Sequence, residues 1–192
     1  MGIDADRLRI VKYPAPVLRA KAGPTPPLSD EVRQVALRMV ELMHEADGVG
    51  LAAPQVGLSW HLFVAHVPAS DDPEDADWRS LQSDPVSATI QPTVYINPVL
   101  SAPSRDLEPY EEGCLSLPQI NGEVRRPSRI TITATDLNGN SFTQRAGGLL
   151  ARCWQHEMDH LDGVLIIDRM TPLSRLKNRN AVRELEHRAA LL

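Results

Sequence analysis

Apolar residues recur at helical spacing between residues 29 and 46. Val32, Val35, Ala36, Met39, Val40 and Met43 fall on one stripe. The pattern predicts a helix from about Ser29 to Ala46, with Ser29 or Asp30 as its cap and Gly48 placed to end it. Ahead of it, residues 10–28 hold Tyr13-Pro14-Ala15-Pro16 and Pro24-Thr25-Pro26-Pro27, which predicts an extended surface arm. Behind it, Gly48-Val49-Gly50-Leu51-Ala52-Ala53-Pro54-Gln55 reads as a tight loop of small residues.

The period then changes. Leu62 to Val67 and Val94 to Asn97 are strand candidates, and Ile130-Thr131-Ile132-Thr133-Ala134 alternates with period two. Asn138-Gly139 is a hairpin turn signal before Ser141-Phe142-Thr143. Helical spacing returns over Gly148 to Leu161, where Asp162-Gly163 stops it. A last helix should start at Thr171-Pro172, with threonine as cap and proline at the first helical position, and run over residues 171–192. These elements predict an α+β fold: mixed or antiparallel sheets packed around a central helix, with N-terminal and C-terminal helices. A length of 192 residues fits one domain spanning the chain, with no internal repeat. Residues 69–91, with the acidic run Asp71 to Asp77, read as a solvated, mobile insertion loop.

Composition narrows the function more than the fold. Aromatics are only 4% of the chain, so aliphatic side chains must fill most of the core. A net charge of −5 gives no reason to expect long-range attraction to nucleic acid or anionic membrane, and no nucleic-acid motif is present. The longest apolar runs fall far short of the roughly 20 residues that span a bilayer. The N-terminus lacks the apolar segment of a secretory signal and the Arg/Ser bias of a transit peptide. Two cysteines make no disulfide framework. A cytoplasmic protein is expected, whose cysteines are free, metal-bound or catalytic.

The chemistry starts from His156-Glu157-Met158-Asp159-His160. On a helix, residues four apart share a face, so both imidazoles can reach one metal with Glu157 beside them as general base. A catalytic site of this kind needs a third ligand and an open position for water. The spacing His160 to Gly163 invites a histidine at position 166, but Ile166 stands there. Cys153 is seven residues from His160, a rise of ~10 Å, which is too long for one ion and leaves it as a packed or pocket-wall thiol. Glu184 or Glu186 on a downstream helix, as in one class of metalloprotease, and Cys114 in Glu111-Glu112-Gly113-Cys114-Leu115-Ser116 both stay open. Gly113 would permit close backbone approach at that cysteine.

Three ordered motifs make the chain resemble the peptide deformylase family. They are Gly48 to Gln55, similar to G-x-G-L-A-A-x-Q; Glu112-Gly113-Cys114-Leu115-Ser116, similar to E-G-C-L-S; and Gln155 to Gly163, similar to Q-H-E-x-D-H-L-x-G. Ile10 to Arg19 resembles the family's opening, and the similarity covers residues 9–67 and 94–170. Asn121 stands where many members carry arginine, and Arg152 where an apolar residue is common.

The resemblance implies an enzyme that removes the formyl group from N-terminal formylmethionine of newly made polypeptides, releasing formate during protein biosynthesis. It implies a metal held by Cys114, His156 and His160, with Fe(2+) in the cell and zinc, nickel or cobalt able to substitute. Glu157 would move the proton, while the Gln55 amide and the Leu115 backbone N–H would stabilise charge on the formyl oxygen. Without its motif, Gln55 would read as a surface loop residue. Val49, Tyr110, Leu149 and Cys153 would form the methionine pocket, and each could equally be ordinary core; Gly50 and Gly113 would also bind substrate, Gly50 by letting its backbone approach or else serving only as a turn. Glu112 would hold the Cys114 loop through Arg125 or Arg126, with Asp159 in similar work or facing solvent. The partners implied are N-formylmethionyl nascent peptides. Arg175, Lys177, Arg179, Arg183 and Arg188 near the C-terminus fit either a solvated helix face or docking at the ribosome.

Overall fold

In the computed structural model, which describes residues 2–75 and 78–191, the chain folds as α1 (Asp30–Glu45), β1 (Gly50–Ala52), β2 (Leu62–Ala65), β3 (Thr93–Ser101), β4 (Leu107–Cys114), β5 (Leu117–Pro127), β6 (Arg129–Thr135), β7 (Ser141–Gly147), α2 (Gly148–Leu161), α3 (Ile166–Arg169) and α4 (Pro172–Ala189). One sheet has the order β1-β2-β3-β6-β7 and the other is the β4-β5 hairpin; every ladder is antiparallel.

The five-stranded sheet is sandwiched between two helices. Leu62 and Val64 of β2, with Val94 and Ile96 of β3, join the apolar stripe of α1. Phe63, Ala65 and Tyr95 point the other way and pack with Leu150, Ala151 and Trp154 of α2. Both faces are covered, which is why residues 62–65 are a continuous apolar run rather than an alternation. Aromatic packing is concentrated here: Tyr95 stacks on Phe63 at 4.6 Å between centroids and meets Trp154 edge-on at 5.6 Å. Helix α2 therefore sits centrally, with Trp154 fully buried against the sheet.

Both long helices follow their sequence signals. The Ser29 side chain accepts from Val32 N–H, and Thr171 accepts from Ser174 N–H. The end of α1 differs: Asp47, not Gly48, takes the left-handed conformation (φ 53°), and the Gly48 N–H bonds to Met43 C=O at 2.8 Å. Three other expectations are corrected. Gly48 to Gln55 is not simply a loop; residues 50–52 are a buried edge strand, followed by a 3-10 turn over Ala53–Val56. The small side chains let this strand lie between the two helices. The proline-rich arm is not confined to the surface, because Leu18 is fully buried in a third apolar cluster with Leu117, Ile120 and Leu165.

The 69–91 segment is only partly solvated. Ser87, Ala88 and Thr89 are buried, and Trp78 C=O accepts from Leu149 N–H at the start of α2. The last part of the acidic run, residues 76–77, lies outside the described residues, as does the end of the expected 171–192 helix at residue 192.

Hairpin β4-β5 has no counterpart among the sequence-predicted elements. Its buried positions on β5 are Leu117 and then Ile120, Gly122, Val124 and Arg126, an alternation in which a glycine and an arginine conceal the apolar period. On β4 only Glu112 is fully buried. This polar-looking hairpin brings Cys114 to α2.

Candidate metal centre and substrate cavity

The site forms where the β4-β5 hairpin meets the middle of α2. His156 and His160 lie one turn apart on the same face, their ring centroids 5.1 Å apart. Cys114, at the end of β4, brings its Sγ to 3.2 Å from His160 Nε2. One ligand atom from each of Cys114, His156 and His160 lies within 4.8 Å of the other two, the only such group of three among the described residues. A thiolate and two imidazoles are a donor set suited to zinc or iron. The downstream glutamates are engaged elsewhere: Glu184 pairs with Arg188 at 2.8 Å, and Glu186 accepts from Tyr13 Oη at 2.6 Å. Cys153 stays outside the group and donates its thiol to Val49 C=O at 3.3 Å. Burial, reinforced by the negative charge of Glu157, keeps that thiol protonated.

A carboxylate organises the first histidine. Glu112 Oε2 lies 3.1 Å from His156 Nδ1, which leaves Nε2 free for a metal. Arg126 grips Glu112 with two bonds of 2.7 and 2.9 Å and reaches Asp159 at 2.8 Å. Arg126, not Arg125, is the partner because β5 alternation turns residue 126 inward and residue 125 out. Asp159 is likewise buried and also bound by Arg169 at 2.7 Å. Burial alone would raise the Glu112 pKa, but the hydrogen bonds from Arg126 and His156 and their charges hold it well below the ordinary carboxylate range. For His156, burial works against the charged form, yet bonding to Cys114 and Glu112 prevails and raises its pKa. His160 goes the other way, lowered by burial and by the charge of His156.

Glu157 is buried at 3% exposure, and its Oε2 has no hydrogen-bond partner among the described residues. Burial pushes its pKa up to about 7, against the opposing pull of His156 and Arg126. A buried carboxylate oxygen left without a donor beside three converging candidate ligands is an acceptor open to a proton-bearing partner.

Gln55 is brought in from the 3-10 turn after β1. Its Oε1 accepts from Ala52 N–H at 2.8 Å, which directs Nε2 toward Ser116 Oγ (3.3 Å) and Cys114 Sγ (3.6 Å). The N-terminal arm ties these motifs together: Val11 N–H bonds Gln55 C=O, Lys12 Nζ bonds Leu115 C=O and Tyr13 N–H bonds Ser116 C=O.

A cavity of about 360 Å³ opens against this group, lined by Val49, Gly50, Gln55, Tyr110, Gly113, Cys114, Leu115, Leu149, Cys153, His156 and Glu157. All six residues expected to bind substrate are in its wall. Sequence reading did not find Trp78, whose ring stacks on Tyr110 at 5.1 Å, or the task of Arg152, which also lines the cavity. A lone tryptophan inside a polar segment was the available signal for the first. For the second it was a cation one helical turn before His156.

The polypeptide deformylase family model matches residues 7–176. A peptide deformylase of Acinetobacter baumannii (strain SDF) is 42% identical over 178 residues, covering 93% of this chain and 91% of that protein. Among solved structures, peptide deformylase from Thermotoga maritima superposes with a TM-score of 0.73 at 38% identity, covering 86% of this chain and 98% of that one. A peptide deformylase from Synechococcus elongatus, solved in complex with actinonin, superposes with a TM-score of 0.76 at 36% identity, covering 97% and 90%.

Proposed function

We infer the roles of these residues from one premise: the chain belongs to the polypeptide deformylase family. It is a metal-dependent hydrolase that removes the formyl group from N-terminal methionine. We propose that Cys114, His156 and His160 hold the metal, which supplies Lewis acidity and a more acidic water when bound. The observation that carries this is the meeting of one hairpin thiol with two helical imidazoles beside the unpartnered Glu157 carboxylate.

Glu157 takes a proton from the water that attacks the formyl carbon, then gives it to the departing amine nitrogen, leaving formate and a free methionyl N-terminus. A carboxyl group with a pKa near 7 suits both halves of that exchange. Gln55 Nε2 and the Leu115 backbone N–H donate to the formyl oxygen as negative charge builds on it, each worth about 3–4 kcal/mol. The bond from Ala52 N–H holds the Gln55 carboxamide ready for that task. Val49, Tyr110, Leu149 and Cys153 surround the methionine side chain, with the backbone of Gly50 and Gly113 alongside.

The physiological ion in this reading is Fe(2+), as membership of the family implies; a thiolate with two imidazoles accommodates iron as well as zinc, and zinc, nickel or cobalt can replace it. Anaerobically purified, iron-loaded protein should release formate from formyl-Met-Ala-Ser, lose activity in air and regain it with nickel. No formate from protein with its metal intact would refute the assignment.

The setting we propose is co-translational, in the cytoplasm, on nascent formylated chains. Two free cysteines accord with a reducing compartment. Among the described residues no helix is long and apolar enough to cross a membrane. Helix α4 buries no residue fully and exposes Leu173 and Leu176 beside its basic side chains, which suits docking at the ribosome. Truncation at residue 172 should abolish co-sedimentation with ribosomes; unchanged co-sedimentation would remove that partner.

A further inference from the structure

Arg152 is a buried cation in the wall of the cavity, one helical turn before His156 and on the same face of α2 as both histidines. Its bonds run to the hairpin. Nη1 donates to Glu112 Oε1 at 2.8 Å and to Val124 C=O at 3.2 Å, and Nη2 donates to Glu108 C=O at 2.7 Å. Its guanidinium carbon lies 5.3 Å from the Tyr110 ring centroid and 5.9 Å from that of Trp78, which stacks on Tyr110. The segment before β3 thus supplies, through Trp78, an aromatic cover that keeps water from this cation.

The arrangement has a consequence for His156. Glu112 Oε1 receives both Arg126 Nε and Arg152 Nη1, from opposite elements: Arg126 from β5 and Arg152 from α2. Held from both sides, the carboxylate has little freedom to rotate, and its Oε2 stays at the 3.1 Å contact with His156 Nδ1. The same guanidinium pins Glu108 and Val124, one on each strand of the hairpin that ends in Cys114. A single side chain therefore bonds both strands of the hairpin to the helix that carries the imidazoles.

We propose that Arg152 is a positioning residue of the metal centre, bracing Glu112 and fixing the β4-β5 hairpin on α2 so that Cys114 and His156 meet in one geometry. This rests on the reading that Cys114, His156 and His160 bind the metal. Arg152 touches neither ion nor substrate in this role. Its removal leaves Glu112 still paired with Arg126, so the variant does not strand a bare buried carboxylate.

The test is cobalt binding, followed by visible absorption and by chelator competition, in wild type, Arg152→Met, Arg152→Lys and Cys114→Ser. Arg152→Met should bind cobalt at least about tenfold more weakly, with altered visible band positions and intensities and a cooperative thermal melt. Arg152→Lys keeps the charge but cannot reach Glu112, Val124 and Glu108 together, so it should fall between Met and wild type. If Arg152→Met does not fold, Arg152→Lys decides alone by the same measurements. Wild-type affinity and spectrum in a folded variant, even one with a lower melting temperature, would reduce Arg152 to a structural staple and overturn the proposal. Tighter cobalt binding would overturn it too, since that is what simple loss of a nearby positive charge would do. A wild-type spectrum with no thiolate-to-cobalt band that Cys114→Ser removes would instead sink the ligand assignment, and this inference with it.

Discussion

Gly50→Ala is the most informative single perturbation of the site. Gly50 was expected to let the substrate backbone approach, but its missing side chain also makes room for the Glu157 carboxylate. A Cβ there would stand 2.4 Å from Glu157 Oε1 and 2.8 Å from both Glu157 Cδ and Cys153 Sγ. Ordinary contact begins near 3.4 Å, so the carboxylate must retreat by about 1 Å. A displacement of that size at a reacting group costs on the order of 10²-fold in rate. Overpacking costs about 1–3 kcal/mol of stability, or about 2–4 °C in Tm per kcal/mol for a chain of this size. None of the three proposed ligands supplies the three atoms nearest such a Cβ, so metal content should be unchanged. The assay is formate release under saturating substrate, with metal by atomic emission and Tm by calorimetry on the same samples. The expected outcome is a kcat about 10²-fold lower, full metal occupancy and a modest fall in Tm. A raised KM with kcat intact would show that Gly50 serves only substrate approach, and would refute the steric reasoning about Glu157.

Three further outcomes are expected. Glu157→Gln should keep its metal while kcat falls by about 10²–10⁴-fold, measured by metal analysis beside formate release. Cys114→Ser should lose metal on dialysis, whereas the double variant Glu184→Gln, Glu186→Gln should keep both metal and activity, since those carboxylates bond Arg188 and Tyr13. Metal-free protein should lose stability as pH rises from about 4.5 to about 7. Glu157 goes from its ordinary 4.5 to about 7 in the fold, so the folded state holds the proton more tightly. Its contribution is therefore undiminished below the unfolded value and is lost as pH rises through about 7, by about 3 kcal/mol at about 1.4 kcal/mol per pH unit. Urea unfolding at several pH values should show this decline in wild type and not in Glu157→Gln; parallel curves would contradict it. Glu112 has the opposite sign, its pKa being lowered, so its contribution is lost as pH falls below the ordinary carboxylate range.

Local signals were legible wherever one element carried its whole pattern. Ser29 and Thr171 cap the helices they were expected to cap, and α2 has the limits read from its spacing and the Asp162-Gly163 stop. The interval of four in His156 to His160 is likewise a property of a single helix, so two proposed ligands and the adjacent base could be read from a short stretch. The chain's membership of its family followed from three short motifs because each keeps its residue order in the sequence.

What depended on distant partners was not legible. Spacing alone left Cys114 and the downstream glutamates as rivals; only the packing of β4-β5 on α2 brings Cys114 to 3.2 Å from His160, while Glu184 pairs with Arg188 one turn on and Glu186 with Tyr13 of the N-terminal arm. The hairpin itself was hidden because its inward positions include Gly122, Arg126 and Glu112, whose burial is tolerable only once they meet Met170, Asp159 and Arg152. Arg152 looked like a misplaced charge until its acceptors on both strands and the Trp78–Tyr110 stack were assembled around it. The sequence by itself determined which side chains could do the chemistry and the helix that aligns two of them. The tertiary structure decided that Cys114 meets the two histidines, that Arg152 bonds the hairpin behind it, and the burial that raises the Glu157 pKa, because each is a relation between segments far apart along the chain.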